Sequence, residues 1–385
     1  MKMSSERILT THVGSLPRPD DLIALLQAKE SGKPYDHAAF DRAVRTSVAD
    51  IVRKQTELGI DVIDDGEESK IGFIAYITER IDGFVPQEGN MSTSSFSGSR
   101  EFSLYPEYYK SYGMAFVRPT VCRGPLVYQG ASLQTDIDNL KAALAATPAA
   151  AEAFMPATSP ANVERWFKNE YYPSQDDYAR AIAEALHVEY KTIVDAGLIL
   201  QVDDPSLSTY YTRNPNASID DFLAWGETRV EILNHALRDI PPDRVRYHTC
   251  YGINMGPRTT DLEMKHMARL MLKVRAGAYS FEAANPRHEH EWQVWEDVKL
   301  PDGKVLIPGV ITHTSVLVEH PELVAQRIGR FVDVVGAENV IAGADCGFAT
   351  HPSEKPEILP QIVWAKFEAL VEGARLASAR KPIRR

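Results

Sequence analysis

The stretch Leu198-Ile199-Leu200-Gln201-Val202-Asp203-Asp204-Pro205 decides the fold. It is a short apolar run that stops at two acids and a proline. A parallel strand buried on both faces reads this way where it emerges at a polar rim. The same pattern recurs on both sides of it. Downstream, Val245 to Tyr247 stops at His248-Thr249-Cys250-Tyr251, and Ala278 to Phe281 stops at Glu282. Val305 to Ile311 stops at Thr312-His313, and Val340 to Ala342 stops at Gly343-Ala344-Asp345-Cys346-Gly347. Upstream, Ile8 to His12 ends at Gly14-Ser15, Ile60 to Ile63 at Asp64-Asp65-Gly66-Glu67, and Phe116 to Val121 at Cys122-Arg123-Gly124-Pro125. Helical periodicity fills Asp36 to Glu57, Asp176 to Ala196, Ser218 to Arg238, Thr259 to Ala276, Pro321 to Val335 and Glu357 to Ala379, with Ser218 as an expected cap. Eight such strands predict an α/β TIM (β/α)8 barrel, whose active site gathers at the strand C-termini. A doubly wound sheet would not need eight endings of this kind.

A barrel core takes about 250 residues, so a chain of 385 residues leaves room for long insertions at the mouth. Two are expected, at about 86–115 and 132–175. The first, rich in Ser, Gly and Tyr, reads as a lid-like loop. The second is Ala-rich and then broken by Pro156, Pro160 and Pro173. Lys plus Arg number 42 against 53 Asp plus Glu, a net charge of −11, which excludes a dedicated nucleic-acid binder. No apolar run is long enough for a membrane span and no signal peptide is visible, so a cytoplasmic location is expected. The 3 cysteines, Cys122, Cys250 and Cys346, argue against a disulfide framework and leave thiols for metal or chemistry.

His248-Thr249-Cys250 places an imidazole and a thiol two residues apart, hence on one face of a strand, and that pair suits zinc. A lone pair of this kind occurs often by chance. Cys346 and Glu282, at the ends of the eighth and sixth strands, lie on the same rim of a barrel and complete a four-ligand set. Cys122, at the end of the third strand, is far around the rim and is not expected to bind metal. His288 and His290 form a rival pair, read here as a solvated loop.

The chain resembles the C-terminal catalytic barrel of cobalamin-independent methionine synthase. The resemblance runs from Thr10-Thr11-His12-Val13-Gly14-Ser15-Leu16-Pro17 through Asp65-Gly66-Glu67, Gly124-Pro125 and Gln201 to Pro205. It continues through His248 to Tyr251, Ser280-Phe281-Glu282, Pro308-Gly309-Val310, Asp345-Cys346-Gly347 and Glu372 to Ala377. It implies one zinc-dependent barrel domain over 1–385, with Zn2+ on His248, Cys250, Glu282 and Cys346. It also implies homocysteine contacts at Ser15, Glu67 and Asp203. The family's Asp-x-His after the seventh strand is replaced by Ile311-Thr312-His313-Thr314, which leaves His313 as the candidate catalytic residue. The implied activity is thiol activation for methyl transfer, homocysteine to methionine, from a donor such as 5-methyltetrahydrofolate. The expected partners are therefore a small-molecule thiol and a methyl or alkyl donor, with no nucleic acid and no membrane; a homo-oligomer is compatible with the sequence. A short single-barrel relative, epoxyalkane:coenzyme M transferase, supplies the alternative, an alkyltransferase, which the lid-like insertion, a positive charge at Arg18 and the changed region around His313 would favour, with His313 then protonating an opening alkoxide. A non-catalytic zinc-binding accessory barrel is the third reading.

Overall fold

The computed structural model describes residues 1–87, 97–111, 119–147, 150–252, 255–350 and 358–380. Eight strands form a parallel sheet: β1 (Leu9–Thr10), β2 (Val62–Ile63), β3 (Glu152–Thr158), β4 (Ile199–Asp203), β5 (Val245–Thr249), β6 (Ala278–Phe281), β7 (Val305–Ile311) and β8 (Ile341–Ala344). Each pairs with its neighbours in chain order. β1 pairs with β8, and a parallel bridge between Thr11 and Val62 joins β1 to β2. The sheet thus closes into the expected barrel. No helix among the described residues is long and apolar enough to cross a membrane.

The helices between strands start and stop where local chemistry dictates. His37–Leu58 opens on Asp36, whose carboxylate accepts Ala39 N–H, and closes on Gly59 in the left-handed region at φ 85°. Ile219–Ala236 opens on the expected Ser218, in a reciprocal capping box with Asp221. The helix expected over Thr259 to Ala276 is much shorter, Met264–Met271. The preceding residues serve the site instead: Arg258 sits at φ 58° and begins a turn that a helix cannot contain.

One strand was expected in the wrong place. The third barrel strand is Glu152–Thr158, within the stretch read as an insertion at 132–175. That stretch also contains helices Ala131–Ala146 and Pro160–Trp166, ordinary parts of the barrel's α/β alternation. β3 carries Pro156 and three other residues of low strand propensity, Glu152, Ala153 and Ala157, so propensity hides it. Its burial between β2 and β4 makes it a strand. Thr120–Tyr128, which takes in the end of the expected third strand, instead pairs antiparallel with Ile81–Pro86 outside the barrel. Cys122 is buried in that hairpin and is no barrel-rim residue. Of the first insertion, helices Arg100–Leu104 and Pro106–Ser111 are described. Residues 88–96 and 112–118, including Phe116 to Arg118 of the expected strand, lie outside the described residues.

Candidate metal centre and substrate pocket

β5, β6 and β8 end side by side on one sector of the rim. His248 and Cys250 emerge from β5, and Cys346 follows β8. Ligand atoms of these three residues lie within 4.8 Å of one another, and all three side chains are buried. The two sulfurs are 3.2 Å apart, too far for a disulfide bond and within the roughly 4 Å that sulfurs sharing a tetrahedral zinc require. His248 uses Nδ1 against Ser280 Oγ at 3.1 Å, while its Nε2 is buried with no hydrogen-bond partner among the described residues. Burial, with Arg246 and His313 nearby, holds the His248 imidazole down to about 3, so it is neutral and keeps a lone pair. The hydrogen bond to Cys250 and burial push the Cys346 thiol well above its ordinary range. A bound divalent cation reverses that, since it favours the thiolate. An unpartnered imidazole nitrogen facing two thiols fits zinc by its donor chemistry.

Glu282 stands beside this group with its carboxylate engaged elsewhere. Oε1 accepts Tyr251 N–H at 2.9 Å, and Oε2 lies 2.8 Å from both Asn285 Nδ2 and Arg258 Nη2. Asp345 anchors the same loop by accepting from Ala283 N, Ala284 N and Asn285 Nδ2. The structure therefore brings three of the four expected ligands together and pairs the fourth with an arginine. His313 is buried near them, and neither ring nitrogen is hydrogen-bonded among the described residues. Burial lowers it to about 4.

The second cluster belongs to β1, β2 and β4. Gly14 has φ 140°, and a Cβ there would lie 2.7 Å from Glu67 Oε1, so the carboxylate needs a glycine beneath it. Glu67 itself is held at φ 57° in the loop after β2. Its Oε2 lies 3.5 Å from Lys70 Nζ, which also donates to Pro156 O at 2.7 Å. Asp203 accepts from Gln201 Nε2 at 2.8 Å. Burial pushes the Asp203 carboxyl well up, Glu67 adds to the rise, and Lys70 offsets part of it. Ser15 links the two clusters. Its carbonyl accepts Phe348 N–H at 3.1 Å, and a Cβ on Gly347 would overlap its hydroxyl. Ser15 is thus packed beside the loop that carries Cys346.

A family model for the catalytic domain of cobalamin-independent synthase matches residues 8–361. The chain belongs to this family. Among family relatives, a methionine synthase of Sulfolobus acidocaldarius is 24% identical over 353 residues, covering 89% of this chain and 86% of that one. A methionine synthase of Saccharolobus islandicus is 26% identical over 371 residues, covering 95% and 94%. The fold matches a B12-independent methionine synthase from a Shewanella species, in complex with selenomethionine. There the TM-score is 0.73 at 18% identity, covering 97% of this chain and 98% of that chain. A putative vitamin-B12 independent methionine synthase from Listeria monocytogenes gives 0.67 at 22%, covering 96% and 98%.

Against this family background, two expectations about charge change. Arg18 is buried and donates to the carbonyls of Ala349, Glu67 and Lys70, so it ties loops together and presents no cation to a substrate. His288 is no solvated residue. It is buried, stacked on Tyr251 at 4.0 Å, and bonded to Glu291 and Asp261. Burial lowers its pKa, but those two carboxylates outweigh it and hold it at about 9. His290 is exposed, in the short 3-10 helix Glu289–Gln293. Arg258, Asn285 and Lys70 were not singled out from sequence. A basic residue in a Gly-Pro-Arg turn carries no periodic signal, and only the fold shows which acid it meets.

Proposed function

We propose that the chain is a zinc-dependent methyltransferase that converts homocysteine to methionine, with 5-methyltetrahydrofolate as the first methyl donor to test. The observation that carries this reading is the pairing of the two clusters. Two buried thiols and an open imidazole nitrogen stand beside two carboxylates, buried Glu67 and half-buried Asp203. The family membership and the methionine synthase relatives support the same reaction. His248, Cys250 and Cys346 would hold the metal, with Glu282 as the exchangeable ligand. Zinc held there would favour the thiolate form of an incoming thiol.

The chain's own residues do the rest. Glu67 and Asp203 bind the ammonium of the amino-acid thiol, and the burial that raises Asp203 is relieved by that positive charge. Ser15 places its hydroxyl between the amino-acid pocket and Cys346, to orient the substrate. His313 is neutral and has a lone pair on one nitrogen and a proton on the other. It takes the thiol proton and gives one to the donor as the methyl–donor bond breaks and the methyl–sulfur bond forms.

The alkyltransferase reading loses one of its supports because Arg18 is spent on backbone carbonyls, and the carboxylates of Glu67 and Asp203 disfavour a sulfonate. A closed structural zinc site would have all its protein donors turned inward. Here Glu282 faces Arg258, which favours a site that exchanges ligands. The test is to supply the zinc-loaded protein with homocysteine or coenzyme M, each with methyl donors and with epoxides. Methionine from homocysteine supports the reading; a thioether from coenzyme M alone replaces it with the alkyltransferase.

A further inference from the structure

Glu282 and Arg258 are both almost wholly buried, at 1% and 3% exposure, and they face each other at 2.8 Å. Arg258 also binds Asp261 through Nε at 2.7 Å, and Asp261 binds His288. His288 in turn binds Glu291, whose other oxygen accepts Met264 N–H. With His288 protonated, Arg258 and His288 match Asp261 and Glu291 charge for charge. This chain is balanced without Glu282. Its carboxylate can therefore leave Arg258 without stranding a buried cation, and can return without losing its own counter-ion.

The arginine is held at this post by strained backbone. Arg258 adopts φ 58°, which side chains other than glycine rarely do. The mouth insertion supplies what holds it. Glu101, buried, accepts Arg258 N–H at 3.1 Å, Thr260 N–H at 2.8 Å and Thr259 Oγ1 at 2.9 Å. Arg287 Nε adds a bond to the Arg258 carbonyl at 3.0 Å. Arg100 fastens the same short helix to the carbonyls of Tyr211, Asn214 and Ala217. One carboxylate of the insertion thus fixes the turn that presents the guanidinium to Glu282.

We propose that Arg258 is a positioning residue that gives the Glu282 carboxylate a second berth. Glu282 trades the metal for Arg258 when the thiol substrate arrives, and Glu101 of the insertion holds Arg258 in place for that exchange. One anion replaces another at the metal, so its charge does not change. This inference rests on the metal reading given above and concerns a different residue.

The experiment titrates cobalt(II) into the metal-free full-length protein, then adds homocysteine, and follows the cobalt absorption bands. Arg258→Gln should bind cobalt at least as tightly as the wild type, because Glu282 has lost its other partner. It should bind homocysteine about tenfold more weakly, as expected for losing a charged hydrogen bond, and its cobalt spectrum should change less on thiol addition. Glu282→Gln should weaken cobalt binding instead. Arg258→Lys should restore part of the thiol affinity, and Glu101→Gln should shift it in the Arg258→Gln direction by less. The inference is overturned if Arg258→Gln weakens cobalt binding as Glu282→Gln does, or if both Arg258 variants bind homocysteine as the wild type does. Wild-type protein that binds no cobalt overturns the metal reading itself; normal metal binding with unaltered thiol affinity in the variants overturns only the role of Arg258.

Discussion

The two corners of the rim are built differently. At the metal corner, His248 and Cys250 extend directly from β5, and Cys346 follows β8 within two residues. Backbone ladders place these donors, and one of them, His248 Nε2, has no hydrogen-bond partner among the described residues. At the acidic corner, Glu67 is placed by loops at positive φ, and Gln201 and Lys70 already hold Asp203 and Glu67. The first corner gathers donor atoms that could hold a metal. At the second, the carboxylates already have partners within the protein.

The largest effect should come from the metal corner. Cys346→Ser should drop bound zinc from about one per chain to near zero, since a four-coordinate site loses a thiolate. Cys122→Ser should leave it intact, because Cys122 lies in the hairpin outside the barrel. Metal analysis of both variants checks this; zinc retained in the first would dissolve the distinction between the corners. At the acidic corner, Glu67→Gln and Asp203→Asn should each weaken homocysteine binding by about 1.5–3 kcal/mol, with zinc unchanged. Calorimetric titration of homocysteine into zinc-loaded variants reads this directly, and a fall in metal content would mean that the corners are not separate.

The junction gives a smaller effect on both. Gly347→Ala would drive a Cβ into the Ser15 hydroxyl. Overpacking of this kind costs about 1–3 kcal/mol, and urea unfolding should show it. Wild-type stability would mean that Ser15 turns aside freely and does not couple the two corners.

The last expected effect is a pH slope beneath the acidic corner. Burial pushes the Glu68 carboxyl up to about 8, against the opposing pull of Arg18 and the hydroxyl of Ser47. A raised carboxyl contributes stability that is complete below its unfolded pKa, near 4.5, and is lost as pH rises through about 8. Glu68→Gln should therefore show a flatter loss of stability between those limits. Urea midpoints measured across that range would refute the placement of Glu68 if the two slopes coincide.

Much of this was legible in the chain. Seven of the eight barrel strands lie where apolar runs end in polar clusters. The exception, β3, shows the limit: Glu152, Ala153, Pro156 and Ala157 have no strand preference of their own. His248 and Cys250 could be paired from spacing, because the two-residue repeat of a strand is local geometry. The Ser218 cap was legible for the same reason. Arg258 was not, because its partners Glu101, Asp261 and Glu282 come from three separate parts of the chain.

The sequence by itself determined the barrel class and the residue types at seven of its eight strand ends, because burial patterns and residue spacing act within a few residues. Only the tertiary structure decided that Pro156 lies in a strand, that Arg18 holds loops together, that His288 is an internal ion-pair partner and that Glu282 faces Arg258. Each of these depends on which groups meet across long sequence separations, and a buried charge takes its role from the partner that neutralises it.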